Sequence, residues 1–196
     1  MYVNSRWFSA TLWIMEEFNM KLKKIPLLLC LSALSLGANA QDKPSFSVGI
    51  SSFAVSQDVT YGSGGGELNY GGFQLLGAVS LNDNVQAQVA FYNVSEDDAS
   101  DLKLSGNTIR MNFGQGFQKE GFKAYGTIGL FNEEIKVPGA SEDVSGLEFG
   151  AAIGYNFKAV SVDYGFTIRN SSDYEEKYGA NDVTTATGSL SLTANF

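Results

Sequence analysis

The sequence predicts an all-β protein: a closed eight-stranded antiparallel up-and-down transmembrane β-barrel. Three observations carry this expectation. Residues 41–196 hold eight stretches in which apolar and polar side chains alternate with period two. Tight and long connections alternate between those stretches. An export signal precedes them, and no later apolar run is long enough for a spanning helix, so any membrane crossing falls to strands.

The export signal is Met20–Ala40. Lys21, Lys23 and Lys24 form its positive start, residues 25–36 its apolar stretch, and Ala38-Asn39-Ala40 a small-residue cleavage site. Cys30 follows Leu29 rather than a small residue, which disfavours lipidation. Residues 1–19 read as a start assigned too early, with Met20 the true start. An anchor helix there is disfavoured by Glu16 and Glu17. The barrel domain is therefore expected over 41–196.

The first strand covers roughly 45–56, with Phe46, Val48 and Ile50 on one face. A change of parity near Ser52–Phe53 suggests a bulge. The second covers 70–81, with Phe73, Leu75, Val79 and Leu81 together. The third, 85–94, sets Val85, Ala87, Val89 and Phe91 against Gln86 and Gln88. The fourth, 106–116, sets Ile109, Met111 and Phe113 against Arg110 and Asn112. The fifth, 121–132, sets Phe122, Ala124, Ile128 and Leu130 against Lys123, Tyr125 and Thr127.

The sixth and seventh strands have the cleanest alternation. Leu147, Phe149, Ala151, Ile153, Tyr155 and Phe157 oppose Glu148, Gly150, Ala152, Gly154 and Asn156. Val160, Val162, Tyr164, Phe166 and Ile168 oppose Ser161, Asp163, Gly165, Thr167 and Arg169. The eighth is Ser189–Phe196, with Leu190, Leu192, Ala194 and Phe196 on one face. No stretch reads as an amphipathic helix.

Residues 82–84, 117–121 and 158–159 read as tight turns, and 57–69, 95–105, 133–145 and 171–184 as long loops. Periodicity alone leaves open which face is inside. Small residues share a face with the long polar ones, as a narrow lumen requires. Aromatics gather at two heights, as interfacial girdles would. Phe46, Phe113, Phe122, Tyr155, Phe157 and Phe196 lie toward the turns; Phe53, Tyr70, Phe73, Phe91, Phe149 and Phe166 lie toward the loops.

The alternating final strand with its terminal Phe196 resembles the signature by which outer-membrane barrels engage their assembly machinery, with Leu190, Leu192 and Phe196 as its residues. With the export signal, the eight strands and the four long loops, residues 41–196 as a whole resemble the small outer-membrane β-barrel family, OmpA/OmpX-like. The resemblance implies a bacterial outer-membrane location in a Gram-negative cell, with loops extracellular and turns and both termini periplasmic. It implies lipid and lipopolysaccharide as surroundings. No peptidoglycan-binding domain is expected after the eighth strand.

Composition narrows the function. Residues 41–196 carry 9 of the 13 Lys+Arg and 19 of the 21 Asp+Glu, a net charge of −10. That balance excludes a nucleic-acid partner. The only cysteine is Cys30, so the barrel has no disulfide framework. There is no histidine, the usual general base of barrel acyltransferases and proteases, so no enzymatic activity and no cofactor are expected.

Two groups of residues are candidates for function. A two-residue turn at Lys158-Ala159 pairs residues whose numbers sum to 317, placing Glu148 opposite Arg169 with both inward. Arg110, Lys123 and Asp163 extend them into a polar network that plugs the lumen. Breaking one pair would give the alternative, a narrow gated channel. A soluble periplasmic ligand-binding barrel, the second alternative, is opposed by these inward charges. In the loops, Glu96, Asp97, Asp98 and Asp101 form the best candidate for Ca²⁺ or Mg²⁺, although their spacing is not that of an EF-hand. The run Gly62–Gly66 lacks the lysine and helix of a phosphate loop and reads as a flexible tip.

Overall fold

The computed structural model describes residues 45–62, 64–96, 102–157, 159–170 and 172–196. The export signal with Ala38 and Ala40, Lys158, and the acidic Asp97, Asp98 and Asp101 lie outside the described residues. Eight strands follow one another: β1 (Ser45–Tyr61), β2 (Gly64–Ser80), β3 (Val85–Glu96), β4 (Lys103–Gln115), β5 (Gly121–Val137), β6 (Ala140–Phe157), β7 (Val160–Arg169) and β8 (Asp182–Asn195). One helix, α1 (Ser172–Tyr178), stands between β7 and β8. Each strand pairs antiparallel with the next, and β1 pairs with β8 to close the barrel. The seam extends to the last residue: Phe196 donates to the Phe46 carbonyl at 2.8 Å, and Phe46 donates back at 3.1 Å.

The pairing is staggered. Crossing paired residues once around the barrel from Arg169 returns to β7 at residue 159, ten positions lower. That stagger tilts the strands and fixes the barrel's radius. It also brings side chains from distant parts of the sequence to one height.

The outer face is apolar. Phe73, Leu75, Phe91, Phe122, Ile153, Tyr164 and Leu190 are all more than half exposed. The inner face carries Gln74, Gln86, Arg110, Lys123, Glu148, Asp163 and Arg169, all buried. This polarity is the reverse of a protein surrounded by water. At about 25 cal/mol per Å², so large a continuous apolar belt is unstable in water and stable against lipid. The barrel is a transmembrane one.

Five details depart from the sequence expectations. The parity change at Ser52–Phe53 is not a bulge: the ladders of β1 with β2 and with β8 run through it unbroken. What changes there is the lumen, which turns from polar at Ser51 to apolar at Phe53, Val55 and Val59. Phe53 and Tyr70 are accordingly buried inside and belong to no girdle, whereas the other ten girdle aromatics stand on the outer face. Leu81 is likewise buried, in the turn after β2.

The segments 57–69 and 133–145 are largely strand, because β1–β2 and β5–β6 continue as hairpins, the first past Gly62 and the second to a turn at 138–139. Gly62, with φ +50°, sits in the first of these, while Gly64, Gly65 and Gly66 belong to β2. The fourth long loop contains α1, seven residues long and too short for its periodicity to stand out in sequence.

At the turn end, Asp83 ties two tight turns together. Its Oδ1 accepts the amides of Gln118 (3.1 Å) and Lys119 (3.2 Å), and its Oδ2 lies 3.2 Å from the Lys119 ammonium. Burial alone would raise this carboxyl, but those hydrogen bonds and the lysine hold it below the ordinary carboxylate range. A carboxylate depressed on folding contributes stability above its unfolded pKa and loses it as pH falls through the folded one. Asp83→Asn is therefore expected to lower the stability read from urea titration at pH 7 by up to about 1 kcal/mol, since Lys119 is exposed. The difference should shrink below pH 4. A difference unchanged in acid would contradict the electrostatic account.

Candidate functional site

The inner face is divided by height. Toward the loops, Phe53, Val55, Tyr92, Val94, Leu104, Phe131, Val144 and Val183 form one apolar cluster inside the barrel. Toward the turns, most inward positions are Ser, Thr, Gly, Gln and Asn, joined by Leu76, Ala78, Tyr125 and Ala152 and by one ion pair. Between them lies the main charged group of the lumen.

That group is built around Arg169, whose side chain is fully enclosed. The tight β6–β7 turn puts Glu148 opposite it in the ladder. Arg169 Nε donates to Glu148 Oε2 at 3.4 Å and Nη1 donates to Glu133 Oε2 at 2.8 Å. Its guanidinium lies 4.5 Å from the Phe131 ring centre and 5.3 Å from that of Tyr92, within cation–π range. Arg110, two strands from Glu148 and separated from it by Gly129, donates to Glu148 through Nε and through Nη2 at 3.3 Å. Two arginines and two glutamates thus neutralise one another, with only Arg110 keeping a trace of exposure. Charge-assisted bonds of this kind are strong, and each member depends on the others.

Hydroxyl groups complete the set. Tyr92 donates to Glu133 Oε2 at 2.7 Å and accepts from Arg169 Nη2 at 3.1 Å. Tyr174, from α1, donates to Glu133 Oε1 at 2.8 Å. Burial pushes the Tyr174 and Tyr178 phenols well above the usual tyrosine range, and neighbouring phenol and Glu133 charges add to it. Both therefore remain neutral donors. Tyr178 donates to Gln57 Oε1 at 2.9 Å, so α1 is fastened to the barrel through two hydroxyls one turn apart. Tyr174→Phe removes a charge-assisted bond to a buried carboxylate and is expected to destabilise the barrel by about 1–3 kcal/mol. Limited proteolysis would detect it as faster cleavage in 171–184 while the strands stay protected.

Of the residues chosen from sequence, Arg110, Glu148 and Arg169 meet in this cluster. Lys123 and Asp163 do not. They form a separate pair lower in the lumen, with Nζ to carboxylate distances of 2.9 Å, and Tyr125 donates to Asp163 at 3.5 Å. Leu190, Leu192 and Phe196 stand on the outer face, with Phe196 79% exposed. Glu96 is buried on the inner face at the end of β3, away from the solvated rim. Among the described residues, no group of three or more carboxylates is gathered as a metal site.

Glu133, Tyr92 and Tyr174 were missed in the sequence. Glu133 is adjacent to Glu134 and reads as part of an acidic loop. The usable signal was β5 continuing its alternation past residue 132, with Phe131, Glu133 and Ile135 on one face.

No known family profile matches the sequence, and no curated protein matches it. Solved structures similar to the chain include the attachment invasion locus protein Ail of Yersinia pestis, at 19% identity, TM-score 0.49, covering 78% of this chain and 97% of that one. Neisserial surface protein A has 16% identity, TM-score 0.49, and coverages of 79% and 98%. The N-terminal β-barrel domain of Pseudomonas aeruginosa OprF has 16% identity, TM-score 0.48, and coverages of 76% and 97%. The likeness is one of fold.

Proposed function

We propose that this chain is an integral protein of a Gram-negative outer membrane. In this reading its barrel is a closed, non-enzymatic scaffold that stabilises the envelope and displays acidic loops outside the cell. The observation that carries the reading is the enclosed cluster of Arg110, Glu148, Arg169 and Glu133 beneath an apolar cap. Charges that neutralise one another across four strands suit a plug better than a solute path. Turns and chain ends would be periplasmic. Exposed Glu67, Glu142, Asp143, Glu176 and Asp182 would face lipopolysaccharide and the Ca²⁺ or Mg²⁺ that bridges it. The outward Leu190, Leu192 and Phe196 suit recognition by the assembly machinery.

Two measurements test this. Unboiled protein from the outer-membrane fraction should run as a compact band that shifts on boiling. Reconstituted in planar bilayers, it should give no steady conductance. Persistent single-channel steps would replace the plug with a narrow channel. Protein confined to the soluble periplasm would overturn the membrane location.

A further inference from the structure

We infer that the turn between β4 and β5, residues 116–120, is a hinged flap that shuts the turn end of the lumen, and that Asp83 is its acid-released latch. This goes beyond the closed-barrel reading. It adds a second closure, remote from the charged cluster and made of a segment that can swing away while the strands stay paired.

The turn lies inward rather than projecting from the barrel end. Phe117, two residues past the end of β4, is only 5% exposed. Its ring centre is 5.1 Å from that of Tyr125, and it lines the lowest space of the lumen together with Ser45, Ser80 and Asn195. An apolar ring in so short a turn leaves water only if the turn folds over the strand ends. The other side of the same turn is solvated, with the Lys119 side chain 78% exposed and Glu120 exposed beside it.

The flap has a hinge at each end and no ladder between them. Gly116 (φ +86°) and Gly121 (φ +129°) bracket it, both in the region that side chains rarely adopt. The β4–β5 ladder ends at Gln115 and Ala124. Neighbouring elements hold the turn instead. From β6, Asn156 Nδ2 donates toward the carbonyls of Gly116, Phe117 and Lys119 at 3.4, 3.4 and 3.0 Å. From the end of β2, the Ser80 carbonyl accepts Gln118 Nε2 at 2.9 Å. From the β2–β3 turn, the Asp83 carbonyl accepts the Phe117 amide at 3.3 Å, and its carboxylate takes the Gln118 and Lys119 amides.

Of these ties, only Asp83 titrates. Lys119 on the flap is the one charged group acting on it among the described residues, while Ser80 and Asn156, from the other elements packed on the turn, bring no charge. Protonation removes the ion pair and weakens two charge-assisted hydrogen bonds at once. A carboxylate stabilised on folding holds its partners at neutral pH and lets them go as acid protonates it. The flap is therefore shut at neutral pH and loosened in acid. Opening withdraws Phe117 and exposes Lys123 and Asp163, which line the same space, to the turn-side compartment.

Pepsin tests this on the barrel folded in detergent micelles, because it cuts beside phenylalanine and works on both sides of the carboxylate range, from about pH 1.5 to about pH 4.5. Cutting at Phe117 is measured against a free peptide of residues 114–121 at each pH, with the compact unboiled band showing that the strands remain folded. Normalised cutting should be about fivefold faster at the lower pH, the population change that matches the modest stability assigned to the Asp83 contacts. Asp83→Asn, the neutral isostere of the acid form, should already cut at that faster rate at the higher pH and change little between the two. Equal protection of the native chain at both pH values would overturn the latch. So would an Asp83→Asn barrel that stays as protected as the native one, or that loses protection in acid by the same factor. Conductance tests the closed-barrel reading separately, and a silent barrel with a fixed turn would lose the flap and keep the plug.

Discussion

Arg169→Leu should lower the stability of the barrel by about 3–5 kcal/mol, the largest loss expected from any single side chain here. The reason is not the strength of the ion pairs themselves. Desolvating an arginine and two glutamates offsets much of their mutual attraction. Removing the arginine instead leaves two enclosed carboxylates with one counter-charge, Arg110, which reaches only Glu148. Glu133 would keep the Tyr92 and Tyr174 hydroxyls but no cation. Leucine fills part of the volume among Phe53, Tyr92 and Phe131 and isolates the electrostatic contribution.

Urea midpoints of the folded band in vesicles would measure the loss. Tryptophan emission is no guide, because Trp7 and Trp13 both precede residue 41. Adding Glu133→Gln to Arg169→Leu should recover part of it, since the second change removes the uncompensated charge. Losses that simply add would show that the two residues are not coupled.

That cluster also marks how far the sequence could be read. The outer face was legible because lipid imposes one rule on every outward position, and period two displays it. The Glu148–Arg169 pairing was legible because a two-residue turn leaves one register. Glu133, Tyr92 and Tyr174 were not, because their meeting depends on closure. Arg169 and Tyr92 are 77 residues apart and touch only through the ten-position stagger of the whole barrel. Local pattern carries no trace of that stagger. The false bulge at Ser52–Phe53 has the same origin: an inner face that changes from polar to apolar partway up imitates a slipped strand. Lys123 and Asp163 were grouped with the arginines for want of their height in the lumen.

Height and stagger also explain the second large effect. Strands lie about 4.8 Å apart, so Arg110 on β4 and Glu148 on β6 are bridged across the whole width of β5. The residue between them is Gly129. A Cβ at that position would stand 2.8 Å from the Ile109 carbonyl oxygen, 2.9 Å from Arg110 Cγ and 3.1 Å from Glu148 Oε1. The first of these is backbone and cannot swing aside. Gly129→Val should therefore combine an overpacking cost of about 1–3 kcal/mol with weakening of the buried pair. A loss of about 3 kcal/mol or more is expected in the same urea titration. Gly126→Val is the control on the same strand. Gly126 faces outward, and its Cβ would meet only the Gly150 and Phe113 carbonyl oxygens at 3.9 Å, ordinary contact distances. Valine there adds a branched apolar side chain to the lipid-facing surface and should leave stability unchanged or slightly raised. Equal losses at the two positions would mean that a branched side chain anywhere on β5 is costly and that the lumenal gap at Gly129 is not the cause. A loss confined to Gly129 would mean that this glycine is the gap through which the two charges meet.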